Sequence, residues 1–290
     1  MSEKVAVVTG SNKGIGFAIV KGLCQRYDGV VYLTSRDDAR GKAAVAELNK
    51  LGLHPEYHQL DVADRGSVEA FRDHIKEKHG GLNILINNAA VITNDYTITS
   101  YEDSKNLINI NYCSILTMQE LIYPLVRDNG RILNISSDCG HLSNIRNKYW
   151  IERLSKKDLK INDVNEFVDW YLESVKSGTF NKDDIADNAT VAAYRISKVA
   201  LSAVTMIQQK ELEPRNISVN SMHPGLVRTD MTKKTGFYSE DEAAETPIYL
   251  VLDAPQTLKG AYIWYDKKVL DWYDHTADYF FKFATMLKSY

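Results

Sequence analysis

The sequence predicts an α/β fold, a doubly wound parallel sheet with helices on both faces. Three observations predict it. Short apolar runs alternate with amphipathic helical segments through the first half of the chain. The connections between them are short, and alternation of this kind implies parallel strands joined by right-handed crossovers. A glycine-rich turn, residues 10–16, sits between the first apolar run and the first helical segment.

The elements follow in order. Val5-Ala6-Val7-Val8 reads as a buried strand, and residues 15–26 as a helix with Ile15, Ile19, Val20 and Leu23 on one face. Residues 30–33 form the second strand, and 39–50 a helix with Val45 and Leu48 inward. Residues 57–60 are a third strand, and 67–78 a helix for which Asp64 or Ser67 serves as N-cap. Residues 84–86 are a fourth strand, 103–127 one long helix, and 131–135 a fifth strand. The rhythm then breaks. Residues 140–188 are polar and hold one amphipathic helix, announced by a capping box at Asp163–Glu166 and carried by Val164, Phe167, Val168, Tyr171, Leu172 and Val175. That stretch is too short and polar for its own core, so it reads as an insertion. The pattern resumes with a helix over 190–212, a strand over 217–221, a helix over 239–252 and a last strand over 260–265. Residues 1–267 therefore read as a single domain with an insertion at 140–188. Residues 268–290 read as a tail whose Leu270, Tyr273, Ala277, Phe280, Ala284 and Leu287 make an aromatic-rich helical stripe. Packing on the body, a subunit contact and a membrane-surface helix all suit that stripe.

Composition excludes several classes. The chain has 290 residues, 44% hydrophobic and 25% charged, and 35 Lys and Arg against 38 Asp and Glu give a net charge of −3. Nucleic-acid binding needs clustered positive charge, so no nucleic-acid partner is expected. No run approaches the ~20 apolar residues of a transmembrane segment. Met1 to Lys4 leads straight into a strand with no signal-peptide pattern. Cys24, Cys113 and Cys139 are few, odd in number and far apart, which suggests reduced thiols and a cytoplasmic protein. His54 and His58 are separated by Pro55, and no metal site is expected.

The chemistry lies in three places. In Thr9-Gly10-Ser11-Asn12-Lys13-Gly14-Ile15-Gly16, glycines permit a tight turn, close approach of a phosphate and close helix packing. The helix start then offers free N–H groups and its positive dipole end to a pyrophosphate. About twenty residues on, an acidic residue favours NAD and an arginine the 2′-phosphate of NADP. Arg36 stands there, and Lys13 adds a second cation, which favours NADP. The competing reading has both cations solvated, with Asp37 neutralising Arg36. Thirdly, Tyr194 and Lys198 are four apart on a helix and share a face. An ammonium beside a phenol lowers the phenol pKa from ~10 and suits it to proton transfer with a carbonyl or alcohol oxygen.

The glycine loop, Asn87-Asn88-Ala89, Ser136-Ser137, Tyr194/Lys198 and Pro224-Gly225 occur in this order after successive strands and helices. Together they resemble the short-chain dehydrogenase/reductase family over about residues 4–266, and so imply a Rossmann-like sheet. More narrowly, Ser35-Arg36-Asp37, Arg40-Gly41, residues 58–61, 80–82, 227–231 and 245–247, with the long insertion, resemble the monomeric NADPH-dependent carbonyl reductases of animals. The resemblance implies that Tyr194 is the general acid, that Lys198 tunes it and binds the nicotinamide ribose, and that Ser137 stabilises the substrate carbonyl. It implies that Asn111 holds a water linking Lys198 to solvent. Cofactor contacts are implied for Gly10, Asn12, Lys13, Gly14, Ile15, Gly16 and Arg36, for Asp61 and the Val62 backbone at the adenine, for Asn88 at the nicotinamide ribose, and for Val227 to Thr229. Asp61 and Asn111 also suit purely local hydrogen bonding, and Ser136 competes with Ser137.

The sequence departs from that pattern at Ala90 and Ser114, where glycines are frequent, and at His223 and Leu226, where a cysteine and a tryptophan flank the Pro-Gly turn of related reductases. Ala90 fits if its φ is negative. His223 reads as a satisfied loop histidine. Cys139, His141, Leu226 and Phe237 are the candidates for substrate-pocket lining. The expected function is NADPH-dependent reduction of ketone, aldehyde or quinone carbonyls to alcohols by a monomer acting on small molecules. The alternatives are NADP-dependent oxidation of a hydroxysteroid-like alcohol and a non-catalytic NADPH-binding sensor.

Overall fold

The computed structural model of the chain describes residues 3–93 and 100–278. Among the described residues eight strands form one sheet: β1 (Val5–Val8), β2 (Val30–Ser35), β3 (Glu56–Gln59), β4 (Leu82–Asn87), β5 (Val126–Ile135), β6 (Ser218–Met222), β7 (Tyr262–Ile263) and β8 (Val269–Leu270). Their spatial order is β3-β2-β1-β4-β5-β6-β7-β8. All neighbours are parallel except β8, which runs antiparallel to β7. The order reverses between β1 and β4, so a crevice opens at the carboxyl ends of those strands.

Helices α1 (Gly14–Arg26), α2 (Asp38–Lys50) and α9 (Glu240–Leu252) cover one face. Helices α3 (Arg65–His79), α4 (Tyr101–Ile108), α5 (Ser114–Leu121) and α8 (Ala192–Leu212) cover the other. β1 shows why its strand is continuously apolar. Ala6 and Val8 enter the core under α1, whereas Val5 and Val7 enter the core under α3.

Three sequence expectations change. The long helix 103–127 is interrupted by a π-helical stretch, Asn109–Cys113, between α4 and α5. It ends at Leu121, because Pro124 lacks the N–H of a continuing helix, and a short 3₁₀ turn at Tyr123–Leu125 leads into β5. The insertion holds two helices, α6 (Lys148–Leu154) and α7 (Ile161–Lys176). Asp163 is not the cap of α7 but its third residue, and it accepts from the Lys160 N–H at 3.0 Å. Val164, Phe167, Val168 and Tyr171 are buried as the periodicity required, in a core shared with α4 and α8. The tail stripe does not start as a helix. Leu270 lies in β8, and residues 271–278 make turns. Phe280, Ala284 and Leu287 lie outside the described residues.

Trp272 follows β8 and is buried, its indole N–H donating to the Gly140 carbonyl at 2.7 Å. None of the described helices is long and apolar enough to cross a membrane. The three cysteines are free. Burial pushes Cys24 up to about 11 and Cys139 up to about 12, and raises Cys113 as well.

Candidate active site

The glycine loop leaves β1 and is braced from the neighbouring strand β4. Thr9 Oγ1 accepts from the backbone N–H groups of Asn88 (2.9 Å) and Ala89 (3.0 Å). Asn88 Nδ2 returns to the carbonyls of Thr9 (2.9 Å) and Gly10 (3.0 Å). Gly10 has φ +59°, and a Cβ there would lie 2.8 Å from Ala89 Cα. A Cβ on Gly16 would lie 2.5 Å from Asn88 Nδ2. Only glycine permits this contact between loop and strand end. No side chain caps the start of α1 at Lys13, so its first N–H groups face outward as an anion site. Ala90 is not among the residues with positive φ, as its side chain requires.

The loop floors a cleft made of two adjoining cavities, of about 410 Å³ and 370 Å³. Asn12, Lys13, Arg36, Asp61 and Val62 line the first. Gly14, Ile15, Gly16, Asn88 and Thr229 line the second, and Gly10 lines both. Val227 does not line it. It is buried, and its carbonyl accepts from Thr232 Oγ1 at 2.6 Å. Asp61 uses one carboxylate oxygen locally, accepting from the Ala63 N–H at 3.0 Å.

The carboxylate beside Arg36 is committed elsewhere. Asp37 caps α2 through the Arg40 N–H (2.9 Å) and pairs with the Arg40 guanidinium (3.2 Å). Arg36 is exposed at the cleft, and its guanidinium has no ion-pair partner among the described residues. Lys13 is held differently, 2.8 Å from Asp230, whose carboxyl is lowered to about 2 by Lys13 and Lys234. Arg40 and Asp230 also line the cleft. The sequence reading gave neither a role of its own, although a second arginine in the first turn of α2 was a visible signal.

The reacting groups converge beyond β5. Ser137 lies two residues past that strand, at the start of the turn Asp138–Gly140, and Tyr194 and Lys198 lie in the first two turns of α8. All three are buried. The Ser137 hydroxyl interacts with the Tyr194 phenol. The Ser136 hydroxyl is turned away from the phenol, to Ser202 Oγ at 2.8 Å. Lys198 Nζ donates to the Ile135 carbonyl at 2.8 Å and lies 5.6 Å from the centre of the Tyr194 ring.

The expected downward pull of Lys198 on the Tyr194 pKa is not found. Burial raises Tyr194, Cys139 and Asp138 add to the rise, and the Ser137 hydrogen bond opposes it. The ammonium is aimed at a carbonyl, and burial brings Lys198 itself down to about 7.

Asn111 sits in the π-helical stretch, a common location for functional residues. Its amide accepts from the Val91 N–H and donates to the Val91 carbonyl, both at 2.9 Å, and to Ser197 Oγ at 3.2 Å. Both amide hydrogens are thus used within the protein. Asn111 thereby clamps the segment after β4 to α8.

The four pocket-lining candidates divide. Cys139 and Leu226 are buried beside the reacting groups or the turn after β6. Phe237 is exposed. His141 is fully buried and committed, with Nδ1 at 2.8 Å from Ser143 Oγ and Nε2 at 2.9 Å from the Asp271 carbonyl, so it belongs to the scaffold. His223 accepts from the Asp138 N–H through Nδ1 at 2.8 Å, while its buried Nε2 has no partner among the described residues. The sequence reading passed over Asp138, whose Oδ1 accepts the Ser137 hydroxyl at 2.8 Å. A carboxylate beside a serine gives no sequence signal until its burial is known. Among the described residues no group of three His, Cys, Asp or Glu side chains is arranged to hold a metal ion.

A sequence model described as short chain dehydrogenase matches residues 4–149 and 185–237. The chain belongs to the short-chain dehydrogenase family. The unmatched stretch within that match contains α7, and so falls inside the predicted insertion. The chain is 35% identical over 284 residues to carbonyl reductase 1 (NADPH) of Bos taurus, covering 93% of this chain and 99% of that one. It is 36% identical over 282 residues to carbonyl reductase 3 (NADPH) of Mus musculus, with the same coverage. Among solved short-chain dehydrogenase structures, salutaridine reductase from Papaver somniferum superposes with a TM-score of 0.81 at 30% identity, covering 91% of this chain and 99% of that one. The NADPH-bound carbonyl reductase from chicken fatty liver shares the fold, with a TM-score of 0.71 at 22% identity over 94% of this chain and 95% of that one.

Proposed function

We propose that this short-chain dehydrogenase is an NADPH-dependent carbonyl reductase, turning ketones, aldehydes or quinones into alcohols. The observation that carries the reading is the burial of Ser137, Tyr194 and Lys198 together beyond a cleft with the exposed Arg36 at its rim. The residues suit the cofactor. The Gly10 and Gly16 cradle, closed to any Cβ, admits a phosphate against the backbone. The uncapped start of α1 suits the pyrophosphate, and Arg36 the 2′-phosphate. NADPH, when bound, supplies the hydride.

The protein supplies the rest. Tyr194, held neutral by burial, donates its proton to the carbonyl oxygen as the carbon is reduced. Ser137 aligns that oxygen with the phenol. Lys198, near balance between its charged and neutral forms at neutral pH, returns a proton to Tyr194 after turnover. Burial of all three keeps water from competing for the developing charge. The reading extends to a monomer, because α7 lies across α4 and α8 and covers the surface a partner subunit would need.

The test is loss of NADPH absorbance with a panel of quinones, aldehydes and ketones, repeated with NADH. Rapid turnover specific to NADPH supports the reading. Tight NADPH binding without any turnover overturns it in favour of a sensor. Tyr194→Phe should lose about a thousandfold in kcat while binding NADPH as before. Comparable rates in variant and wild type end the proton-donor assignment. Light scattering at micromolar concentration should give the mass of one chain, and a stable dimer would refute the monomer.

A further inference from the structure

An ion pair crosses the cleft assigned to the cofactor. Lys13 stands at the N-cap of α1, and its Nζ lies 2.8 Å from Asp230 Oδ2 on the loop after β6. These two residues line both of the adjoining cavities, the one that holds Arg36, Arg40 and Asp61 and the one floored by Gly14 and Gly16. The pair therefore stands where the two cavities meet. A dinucleotide that occupies both has to pass it.

The carboxylate is mounted on a loop that keeps it there. Residues 228–237 are closed at their base, where the Arg228 N–H donates to the Tyr238 carbonyl at 2.9 Å and the Phe237 N–H to the Leu226 carbonyl at 2.8 Å. Within the loop the Lys233 N–H donates to the Asp230 carbonyl at 3.1 Å, and the Lys234 N–H to the Thr229 carbonyl at 2.7 Å. Lys234 Nζ also lies 3.0 Å from Asp230 Oδ1. Lys13 and Lys234 hold the Asp230 carboxyl down to about 2, so it stays an anion at any working pH. Opening the contact to Lys13 leaves that anion still partnered by Lys234. The side chains of Lys13 and Asp230 are 60% and 54% exposed, and a pair so open to water is held weakly enough to be exchanged.

We infer that Asp230 is a resident anion that competes with a phosphate of the cofactor for Lys13, and so weakens cofactor binding and speeds release of the spent cofactor. Lys13 meets the phosphate only by giving up a carboxylate, so each binding event trades one ion pair for another. A pair that served to clasp the bound cofactor would have the opposite sign, because its loss would weaken binding. The inference rests on the reading of this cleft as the NADPH site.

Asp230→Asn keeps the shape of the side chain and removes its charge. Titration with NADPH at low salt, read by quenching of protein fluorescence, should give a Kd about two- to fivefold lower than wild type, the range for one exposed pair. Stopped-flow dissociation of NADP should be slower. In a Lys13→Met background the same substitution should give no gain. NADH tells which phosphate is involved. A gain shared by NADH assigns Lys13 to the pyrophosphate, and a gain confined to NADPH assigns it to the 2′-phosphate. Unchanged or weaker affinity in Asp230→Asn overturns the inference. So does a gain that survives the loss of Lys13, because repulsion or Lys234 then accounts for it. Failure of the wild type to bind either cofactor would overturn the cofactor reading itself, and the inference with it.

Discussion

Arg36 and Asp37 are neighbours in sequence with opposite commitments. Asp37 is spent on capping α2 and pairing with Arg40, which leaves Arg36 as the cation available at the cleft. Arg36→Ala should therefore weaken NADPH binding about tenfold, the low end for a charge-assisted hydrogen bond at an exposed position, and leave NADH binding unchanged. Fluorescence titration with both cofactors reads this, and an equal loss for both would remove the 2′-phosphate role. At this scale the sequence was informative wherever spacing dictates geometry. Gly10 and Gly16 had to be glycine because strand end and loop touch, and Tyr194 and Lys198 had to share a helix face. It was silent wherever burial decides. Lys198 spends its hydrogen bond on Ile135, and the Tyr194 phenol moves up, not down, because of what covers it. His141 looked like pocket lining, yet its partners are Ser143 and a carbonyl 130 residues away.

Elements built on strong periodicity were legible, and those broken by local chemistry were not. The apolar runs of β1, β2, β4 and β5 and the stripe of α7 fixed their type and their buried faces. The π-helical stretch carries no marker, because Asn109–Cys113 suits an α-helix equally well by composition. Leu270 misled because a two-residue strand leaves no period to count, and its pairing with Tyr262 was needed to reveal it. That short strand delivers Trp272 beneath the loop bearing Ser137. The indole holds the Gly140 carbonyl, and Tyr262 OH donates to the Ser137 carbonyl from the adjacent strand. Trp272→Ala should cost about 3–5 kcal/mol in urea unfolding, and Trp272→Phe clearly less. Equal stability of both variants and wild type would show that the segment contributes nothing to the loop's support.

For the whole molecule, pH should act first through histidines. His74, His141 and His223 all have pKa values lowered from 6.5, each chiefly by burial. A histidine with a depressed folded pKa favours its neutral form. Its stabilisation is complete above 6.5 and is lost as the pH falls from there through the folded value. The shifted carboxylates, such as Asp163 and Asp230, titrate lower. The urea midpoint should therefore drop between pH 7.5 and pH 5.5, and a constant or rising midpoint would contradict it.

The thiols carry a last consequence. Quinones are electrophiles as well as oxidants, and they add to thiolates, not to thiols. With Cys24 raised to about 11, only about one molecule in ten thousand presents that thiolate at pH 7, and Cys139, at about 12, fewer still. Cys113 is shifted the same way. On the proposed reductase reading, a quinone substrate meets three cysteines that are poor nucleophiles toward it. The protein's intact mass should stay unchanged through many turnovers with a quinone that arylates an ordinary exposed cysteine.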